Sequence, residues 1–335
     1  MRNELLVSVQ MITYGHEAYI QQAIESVLIQ ETDFEFELII ADDCSLDKTH
    51  EIINEIIKTN PKSYRIKYFR HKENMGMQKN GIFALSKCMG KYIAICEGDD
   101  YWIDPLKLQN QVDFLEKNED YGLIYTDASI YNQETNTFEK PFSSYYKDTP
   151  NSDNYFHHLL LRNCIQTLTV LTRKKYIWEA FESISDIFYS LKIGDYPLWL
   201  EIAHNTKIKY LNDITAVYRK SSNSSASYNN LEKRYDFLQS SFDIQFYFCK
   251  KYNLNEINKE VQVLYSRFLC NRAFDLNLKD IDKNILLSFE PNSIRDILIK
   301  FSLKNSIINV SVRFLIKIVS FYKFLVKSIS QHVNR

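Results

Sequence analysis

The sequence predicts an α/β fold in which helices cover a mostly parallel sheet, followed by a helical C-terminal region. First, short apolar runs alternate with amphipathic helical patterns over about the first 130 residues, as in parallel strands joined by crossover helices. Second, polar clusters follow several of the apolar runs, where open parallel sheets bind ligands. Third, the 335 residues are 45% hydrophobic and 25% charged, so the chain can form a substantial core.

The predicted elements follow one another in a regular order. Leu5 to Thr13 is apolar and rich in β-formers, which predicts the first strand, and Glu17 to Gln30 repeats apolar positions at helical spacing. The same reasoning predicts further strands at 36–41, 66–70, 91–96 and 122–127, and helices at 47–58, 80–89 and 105–117. Long helices rich in aromatic residues are expected from about 231 to 277.

Polar clusters follow three of the predicted strands, at residues 13–16, 42–45 and 97–100. Because parallel strands end at the same edge of a sheet, we expect these clusters to line one crevice, which favours a nucleotide site. The third cluster, Glu97-Gly98-Asp99-Asp100, would repel itself unless a hard cation such as Mg²⁺ or Mn²⁺, bound to phosphate, neutralised it. The alternative is a solvated acidic turn ahead of the helix that begins near Asp104.

Composition and motifs exclude several classes of protein. The formal net charge of −1 lacks the electrostatic pattern of a nucleic-acid-binding protein, so no nucleic-acid partner is expected. Neither a dinucleotide-binding GxGxxG nor a P-loop occurs. The six cysteines form no CxxC pair, which indicates reduced thiols and not a zinc site. The N-terminus enters a strand directly without a signal peptide, so we expect a cytoplasmic protein.

Several segments together resemble a family 2 glycosyltransferase of GT-A fold. They are VSVQMITYGHEAYIQQAIESVLIQ, FELIIADDCSLDKT, ENMGMQKNG, GKYIAICEGDDYWIDPLKL, IGDYPLWLEIA and YLNDITAVYR. The resemblance implies a catalytic domain at 1–225, divided into a nucleotide-binding part (1–127) and an acceptor part (128–225). It implies an inverting enzyme that moves a sugar from a nucleoside diphosphate donor, most simply UDP-linked, to a growing cell-surface glycan, free or lipid-linked.

The resemblance also assigns the catalytic groups. Asp99 would be the main ligand of Mn²⁺ or Mg²⁺, with Glu97 and Asp100 beside it. Asp195, in the fifth segment, would be the base that deprotonates the acceptor hydroxyl. By local sequence alone, Asp195 fits better as the N-cap of the helix that Pro197 begins, and only the resemblance favours the catalytic role.

Donor-binding roles are implied for residues of the other segments. Tyr14 would stack on the nucleotide base, although a structural role is the alternative. Of Asp42 and Asp43, one would bind the base or ribose and the other would cap the next helix. Lys79 would contact phosphate or sugar, unless it is an ordinary surface lysine.

One position departs from the family pattern. Ser221 stands where many relatives carry a histidine that helps bind the metal or diphosphate, so Arg219 or Lys220 is expected to hold the diphosphate instead. A nucleotidyltransferase is the alternative within related folds, but the loop at Tyr14 lacks the required glycine-rich and basic pattern. A nucleotide-sugar-binding module without turnover is the alternative from another class.

The C-terminal region, 226–335, is expected to be helical. Residues 306–335 carry five basic residues and no acidic ones. Over about 306–329, the cations fall on one side of a helix and apolar residues fill the rest, which favours peripheral contact with a membrane surface. The alternative is a helix docked on the protein with its basic face in solvent.

Overall fold

The described residues of the N-terminal part of the chain form a sheet of nine strands. The computed structural model describes residues 2–145, 154–221, 230–278 and 282–304. The chain divides into two compact units, Met1–Ser227 and Tyr228–Arg335. The strands of the first unit are β1 (Arg2–Thr13), β2 (Phe34–Asp42), β3 (Ile66–Arg70), β4 (Tyr92–Ile95), β5 (Tyr101–Trp102), β6 (Tyr121–Asn132), β7 (Thr137–Phe138), β8 (Leu171–Arg173) and β9 (Lys207–Lys220).

Helices connect the strands of this unit. They are α1 (Ile20–Leu28), α2 (Thr49–Thr59), α3 (Met77–Lys87), α4 (Lys107–Lys117), α5 (Tyr155–Leu161), α6 (Lys174–Ser183), α7 (Ser185–Phe188) and α8 (Asp195–Asn205). In α1 the buried residues include Ile20, Ala23, Ile24 and Val27, which is the spacing of one helix face. The apolar periodicity of the sequence therefore predicts which face of α1 packs on the sheet.

The strand order explains how separate segments reach one site. The order is β3-β2-β1-β4-β8-β6-β9-β5, with β7 paired to β6. The first four strands of this order are mutually parallel, and β8 is antiparallel to both of its neighbours. Thr13 and Asp42 are register partners at the ends of β1 and β2, and Gln10 pairs with Ile95 in β4. The three polar clusters thus meet at one edge, in the predicted mostly parallel sheet.

The centre of the sheet is buried on both faces. Val7, Val9 and Leu38 have no exposed surface, and all four residues of β4 are buried. Strands covered on both sides read as continuous apolar runs because neither face meets water. This is why the sequence predicts the central strands from uninterrupted hydrophobicity and not from alternation.

Two predicted helix starts differ from the structure by three residues, and the other two differ by two residues. The helix expected from Glu17 begins at Ile20, because the backbone N–H groups of residues 15–17 donate to side chains of the next loop. The helix expected from Asn80 begins at Met77, since Gly76 ends the preceding loop with a φ of 89°. The strand expected at 66–70 has those bounds.

The second unit is helical where it is described. Its helices are α9 (Leu231–Lys251), α10 (Asn255–Asp275), α11 (Lys283–Ser288) and α12 (Ile294–Lys304). Asn253, with a φ of 54°, lies in the turn between α9 and α10. The predicted basic helix at 306–329 lies outside the described residues. Over the ranges that the structure describes, no helix combines the length and the apolar character needed to cross a membrane.

Candidate active site

The loops after β1 and β2 are hydrogen-bonded to each other. Asp43 N donates to the carbonyl of Thr13 (2.9 Å), and four further bonds run from backbone N–H groups to side-chain oxygens: Gly15 N to Ser45 Oγ (3.0 Å), His16 N to Thr49 Oγ1 (2.9 Å), Glu17 N to Asp47 Oδ2 (3.0 Å) and Lys48 N to Glu17 Oε2 (2.9 Å). N–H groups just before α1 and α2 thus find acceptors on the neighbouring segment. These bonds hold the two loops in a fixed arrangement beside Tyr14, whose side chain is 47% exposed.

Asp42, the last residue of β2, is bonded to the loop that follows it and to β3. Its Oδ1 accepts from the backbone N (2.8 Å) and the hydroxyl (2.6 Å) of Ser45, and its Oδ2 accepts from the Tyr68 hydroxyl (2.9 Å). Arg70 lies 3.6 Å from the same carboxylate, which is fully buried. Burial and the bond to Asp42 raise the pKa of Tyr68 far above its ordinary value. Both Asp42 oxygens therefore stabilise the loop and the adjacent strand.

Asp43 holds the loop that leads into α3. Its Oδ1 accepts from Met75 N (2.8 Å) and its Oδ2 from Gly76 N (2.9 Å). A carboxylate oxygen has two lone pairs, so each oxygen keeps an acceptor position for a base or ribose. Lys79 lies on the first turn of α3 and is exposed.

The acidic loop after β4 is pressed against the end of β1. Gly98 N donates to the carbonyl of Ile12 (3.0 Å), and Thr13 Oγ1 lies 3.1 Å from His16 Nδ1. A methyl group on Gly98 would lie 2.7 Å from Thr13 Oγ1 and 2.9 Å from His16 Nδ1. The close approach that this glycine allows is therefore the approach of β1 side chains to the acidic loop.

Asp100 connects the acidic loop to β9. It is 1% exposed, and its Oδ1 accepts from the backbone N of Arg219 at 2.7 Å. Burial and the charges of Asp99 and Glu97 raise the pKa of Asp100 well above its usual range. The bond to Asp100 thus fixes the backbone position of Arg219, near the end of β9.

The Arg219 guanidinium lies among aromatic side chains. Its centre is 4.6 Å from the Tyr101 ring and 5.1 Å from the Tyr19 ring, and its Nη2 donates to Gln22. Its Nε is buried and finds no acceptor among the described residues. A buried guanidinium N–H without an acceptor lowers the stability of the fold, so this N–H is suited to donate a hydrogen bond to an anionic ligand.

Three carboxylates from two elements meet in front of the sheet edge. Burial and the charges of Asp99 and Asp195 raise the pKa of Glu97 to about 8. The Thr167 hydroxyl donates to Asp195, and the carbonyl of the next residue, Leu168, accepts from Trp102 Nε1 at 2.8 Å, just after the acidic loop. The start of α8 therefore lies near the acidic loop, although the two are about 100 residues apart in sequence. The structure brings together the residues predicted as metal ligands and as catalytic base.

The donor set suits a hard cation bound together with phosphate. Within the described ranges, no three His, Cys, Asp or Glu side chains form a metal cage of their own. Mg²⁺ needs only one or two carboxylates when substrate phosphates and waters complete its shell. Glu97 and Asp99 carry carboxylate oxygens of this kind, and burial together with their charges raises the pKa of Asp100.

Asp195 is the first residue of α8, and Gly194 is the N-cap. Its Oδ1 accepts from Tyr196 N at 2.7 Å, and its Oδ2 accepts from the Thr167 hydroxyl. Tyr196 itself is buried and donates to the carbonyl of Leu159 at 2.6 Å, so it belongs to the core. The Asp195 side chain is half-buried.

Two residues at this site were not predicted from the sequence. Thr167 donates to Asp195, and Gln78, at the start of α3, donates to the carbonyl of Leu191. Gln78 Cγ lies 3.4 Å from the position of a Cβ on Gly194. Neither residue carries a sequence signal, because each makes its contact with a segment more than 25 residues away.

Comparison with known proteins decides the family. The model of the family described as "Glycosyl transferase family 2" matches residues 8–181. The chain belongs to this family. An uncharacterized protein of Mycobacterium tuberculosis is 34% identical over 215 residues, which are 64% of this chain. The chain spans only 58% of that relative's length.

Other relatives of this chain carry names that specify an activity. The chain is 30% identical over 215 residues to WfaP of Escherichia coli, named a UDP-Glc:alpha-D-GlcNAc-diphosphoundecaprenol beta-1,3-glucosyltransferase; the match covers 64% of this chain and 77% of WfaP. The mannosyltransferase PcManGT from Pyrobaculum calidifontis, solved with GDP-Man and Mn²⁺, matches with a TM-score of 0.56 at 13% identity, covering 84% and 77% of the two chains. The structural likeness confirms the predicted GT-A fold.

Proposed function

We propose that this glycosyltransferase is metal-dependent and inverting, and that it moves a sugar from a UDP-linked donor to a lipid-linked cell-surface glycan. The observation that carries the proposal is the position of Asp195 near the acidic loop of Glu97 and Asp99, to which the turn at Thr167 and Leu168 connects it through Trp102. A base and a diphosphate site would then lie within one site. The name of WfaP, which specifies a UDP donor and a diphosphoundecaprenol acceptor, supports the choice of substrates.

The chemistry follows from the arrangement of these carboxylates. Asp195 would take the proton of the acceptor hydroxyl as that oxygen forms a bond to the anomeric carbon. The bond from this carbon to the diphosphate oxygen breaks on the opposite face, so the configuration inverts. Asp99 and Glu97 would hold Mn²⁺ or Mg²⁺, which when bound neutralises the charge on the departing diphosphate.

Donor recognition would use the two bonded loops after β1 and β2, beside the acidic loop. Tyr14 is exposed and would stack on the base, and Asp43 keeps acceptor positions for the base or ribose. Lys79 and Arg219 would contact the phosphates, Arg219 through its unpartnered Nε. Asp42 and Asp100, both bonded within the protein, would support the donor site through the loops that they hold.

The acceptor and the location of the enzyme are proposed together. A diphospholipid acceptor lies at a membrane surface, and residues 306–335 carry five cations without an acidic residue. We propose a cytoplasmic enzyme that contacts the inner face of the membrane through this segment. Anionic headgroups attract such basic segments.

A thermal-shift panel tests the donor site. UDP-, GDP- and dTDP-sugars are compared with and without Mn²⁺, because a ligand that binds the folded state stabilises it. UDP-sugars should raise the melting temperature most, and Mn²⁺ should enlarge the shift in wild type but not in Asp99→Asn. Asp113→Asn serves as the matched control, because Asp113 is a half-buried aspartate of α4 that accepts from Gln109 (3.0 Å). Equal shifts for all nucleotides, or a shift that Asp99→Asn leaves intact, would contradict the proposal.

A further inference from the structure

The carboxylate of Asp195 has a hydrogen-bond donor from outside its own helix. The Thr167 hydroxyl donates to Oδ2, while Oδ1 is bonded to the N–H of Tyr196. One contact therefore comes from α8 and the other from the short turn between α5 and β8. Together they fix both the position and the rotation of the carboxylate plane. Each oxygen keeps one free lone pair for another group.

The turn that carries Thr167 is anchored independently of Asp195. Trp102 Nε1 donates to the carbonyl of Leu168 at 2.8 Å, and Gln111 Nε2 donates to the carbonyl of Thr169 at 2.8 Å. Both donors are buried, so these bonds are protected from water. These bonds hold the turn in place without any contribution from Asp195. The Thr167 hydroxyl is therefore a hydrogen-bond donor at a fixed position beside Asp195.

Such a donor matters because an aspartate side chain can rotate about its torsions between several staggered rotamers. The bond from Tyr196 N holds only one of the two Asp195 oxygens. The Thr167 bond holds the other oxygen and so opposes rotation of the carboxylate.

We propose that Thr167 is a positioning residue of the transfer reaction, whose hydroxyl holds the Asp195 carboxylate in the orientation that accepts the proton of the acceptor. This inference rests on the proposed function, in which Asp195 is the base. A misplacement of about 1 Å at a reacting group lowers turnover by up to about 100-fold. The loss of the hydroxyl should thus appear in turnover and not in donor binding.

Three variants test this role. Thr167→Val keeps the shape of the side chain and removes the donor, whereas Thr167→Ser keeps the donor. Thr169→Val is the matched control, because the Thr169 hydroxyl lies in the same turn but donates to the carbonyl of Gln166 (2.7 Å). We measure kcat and KM for UDP-glucose with a GlcNAc-diphosphate lipid analogue, and a melting curve for each protein.

We expect Thr167→Val to lower kcat at least about tenfold with the donor KM unchanged, since a hydrogen bond to a charged group is lost. Thr167→Ser should restore most of this kcat, and Thr169→Val should keep it. A wild-type kcat in Thr167→Val, or a Ser variant as slow as the Val variant, would overturn the inference.

A double-mutant cycle separates this inference from the proposed function. In an Asp195→Asn background, Thr167→Val should cause no further fall in kcat, since residues that act as one unit are not additive. If Asp195→Asn is slow and Thr167→Val is normal, only the role of Thr167 is rejected. If Asp195→Asn turns over at the wild-type rate, both proposals are rejected.

Discussion

Substituting Gly98 by alanine adds one methyl group at the tightest contact of the acidic loop. The new Cβ would lie 2.7 Å from Thr13 Oγ1 and 2.9 Å from both Thr13 Cβ and His16 Nδ1. Packed atoms normally sit about 3.5–4.0 Å apart, so the loop would move by roughly 1 Å. Overpacking of this kind costs about 1–3 kcal/mol of the free energy of unfolding.

The displacement should affect both stability and turnover. A melting curve should show a fall of about 2–4 °C for each kcal/mol lost in a unit of this size. Turnover should fall more steeply, up to about 100-fold, because Glu97 and Asp99 move relative to Asp195.

Gly81→Ala is the matched control for this substitution. The nearest atom to its Cβ is Gln10 Nε2, at 3.8 Å, and Gly81 lies inside α3. Alanine is favoured over glycine there by about 1 kcal/mol, so the control should be as stable as wild type or more so. Wild-type melting and turnover in Gly98→Ala would refute the packing of the acidic loop described above.

The remaining predictions concern charge and the C-terminal segment. Asp99→Asn should keep the wild-type melting temperature but lower turnover at least about 100-fold, as UDP release at saturating donor would show. Burial lowers the pKa of Lys107 to about 7, so between pH 7 and 10 the unfolded chain binds more protons than the folded chain. The free energy of unfolding should therefore rise over this range. Urea titrations should show a smaller rise for Lys107→Met. Deleting 306–335 should abolish salt-sensitive co-sedimentation with anionic vesicles and leave melting unchanged; retained binding, or a truncated protein that fails to fold, would reject the membrane proposal.

The sequence predicts the strands and the acidic loop well, because both rest on local patterns. The run Tyr92 to Cys96 is apolar without interruption, as a strand buried on both faces must be, and its end at Glu97 follows directly. The family resemblance adds Asp195, whose local sequence favours a helix cap. The structure supplies its proximity to the acidic loop, because the turn at 167–169 bonds both to Asp195 and to Trp102.

The sequence does not predict which groups each site residue is hydrogen-bonded to. Asp42 and Asp43 are adjacent and chemically identical, but one bonds to Ser45 and Tyr68 and the other to the loop at Gly76. Alternating side-chain directions at a strand end decide this division, together with contacts about 30 residues away. Thr167 likewise lies outside the segments in which the sequence predicts site residues, and its partner Asp195 is 28 residues away.

Turnover of Asp195→Asn tests the central claim most directly. The asparagine keeps the shape of the side chain and can still accept the bond from Tyr196, but it cannot take a proton. Asp186→Asn, an exposed aspartate in the first turn of α7, controls for the substitution itself. With UDP-glucose and a GlcNAc-diphosphate lipid analogue, kcat should fall about 100-fold or more in Asp195→Asn alone, with unchanged donor affinity and melting temperature. Wild-type kcat per folded molecule in Asp195→Asn would contradict the assignment of Asp195 as the base.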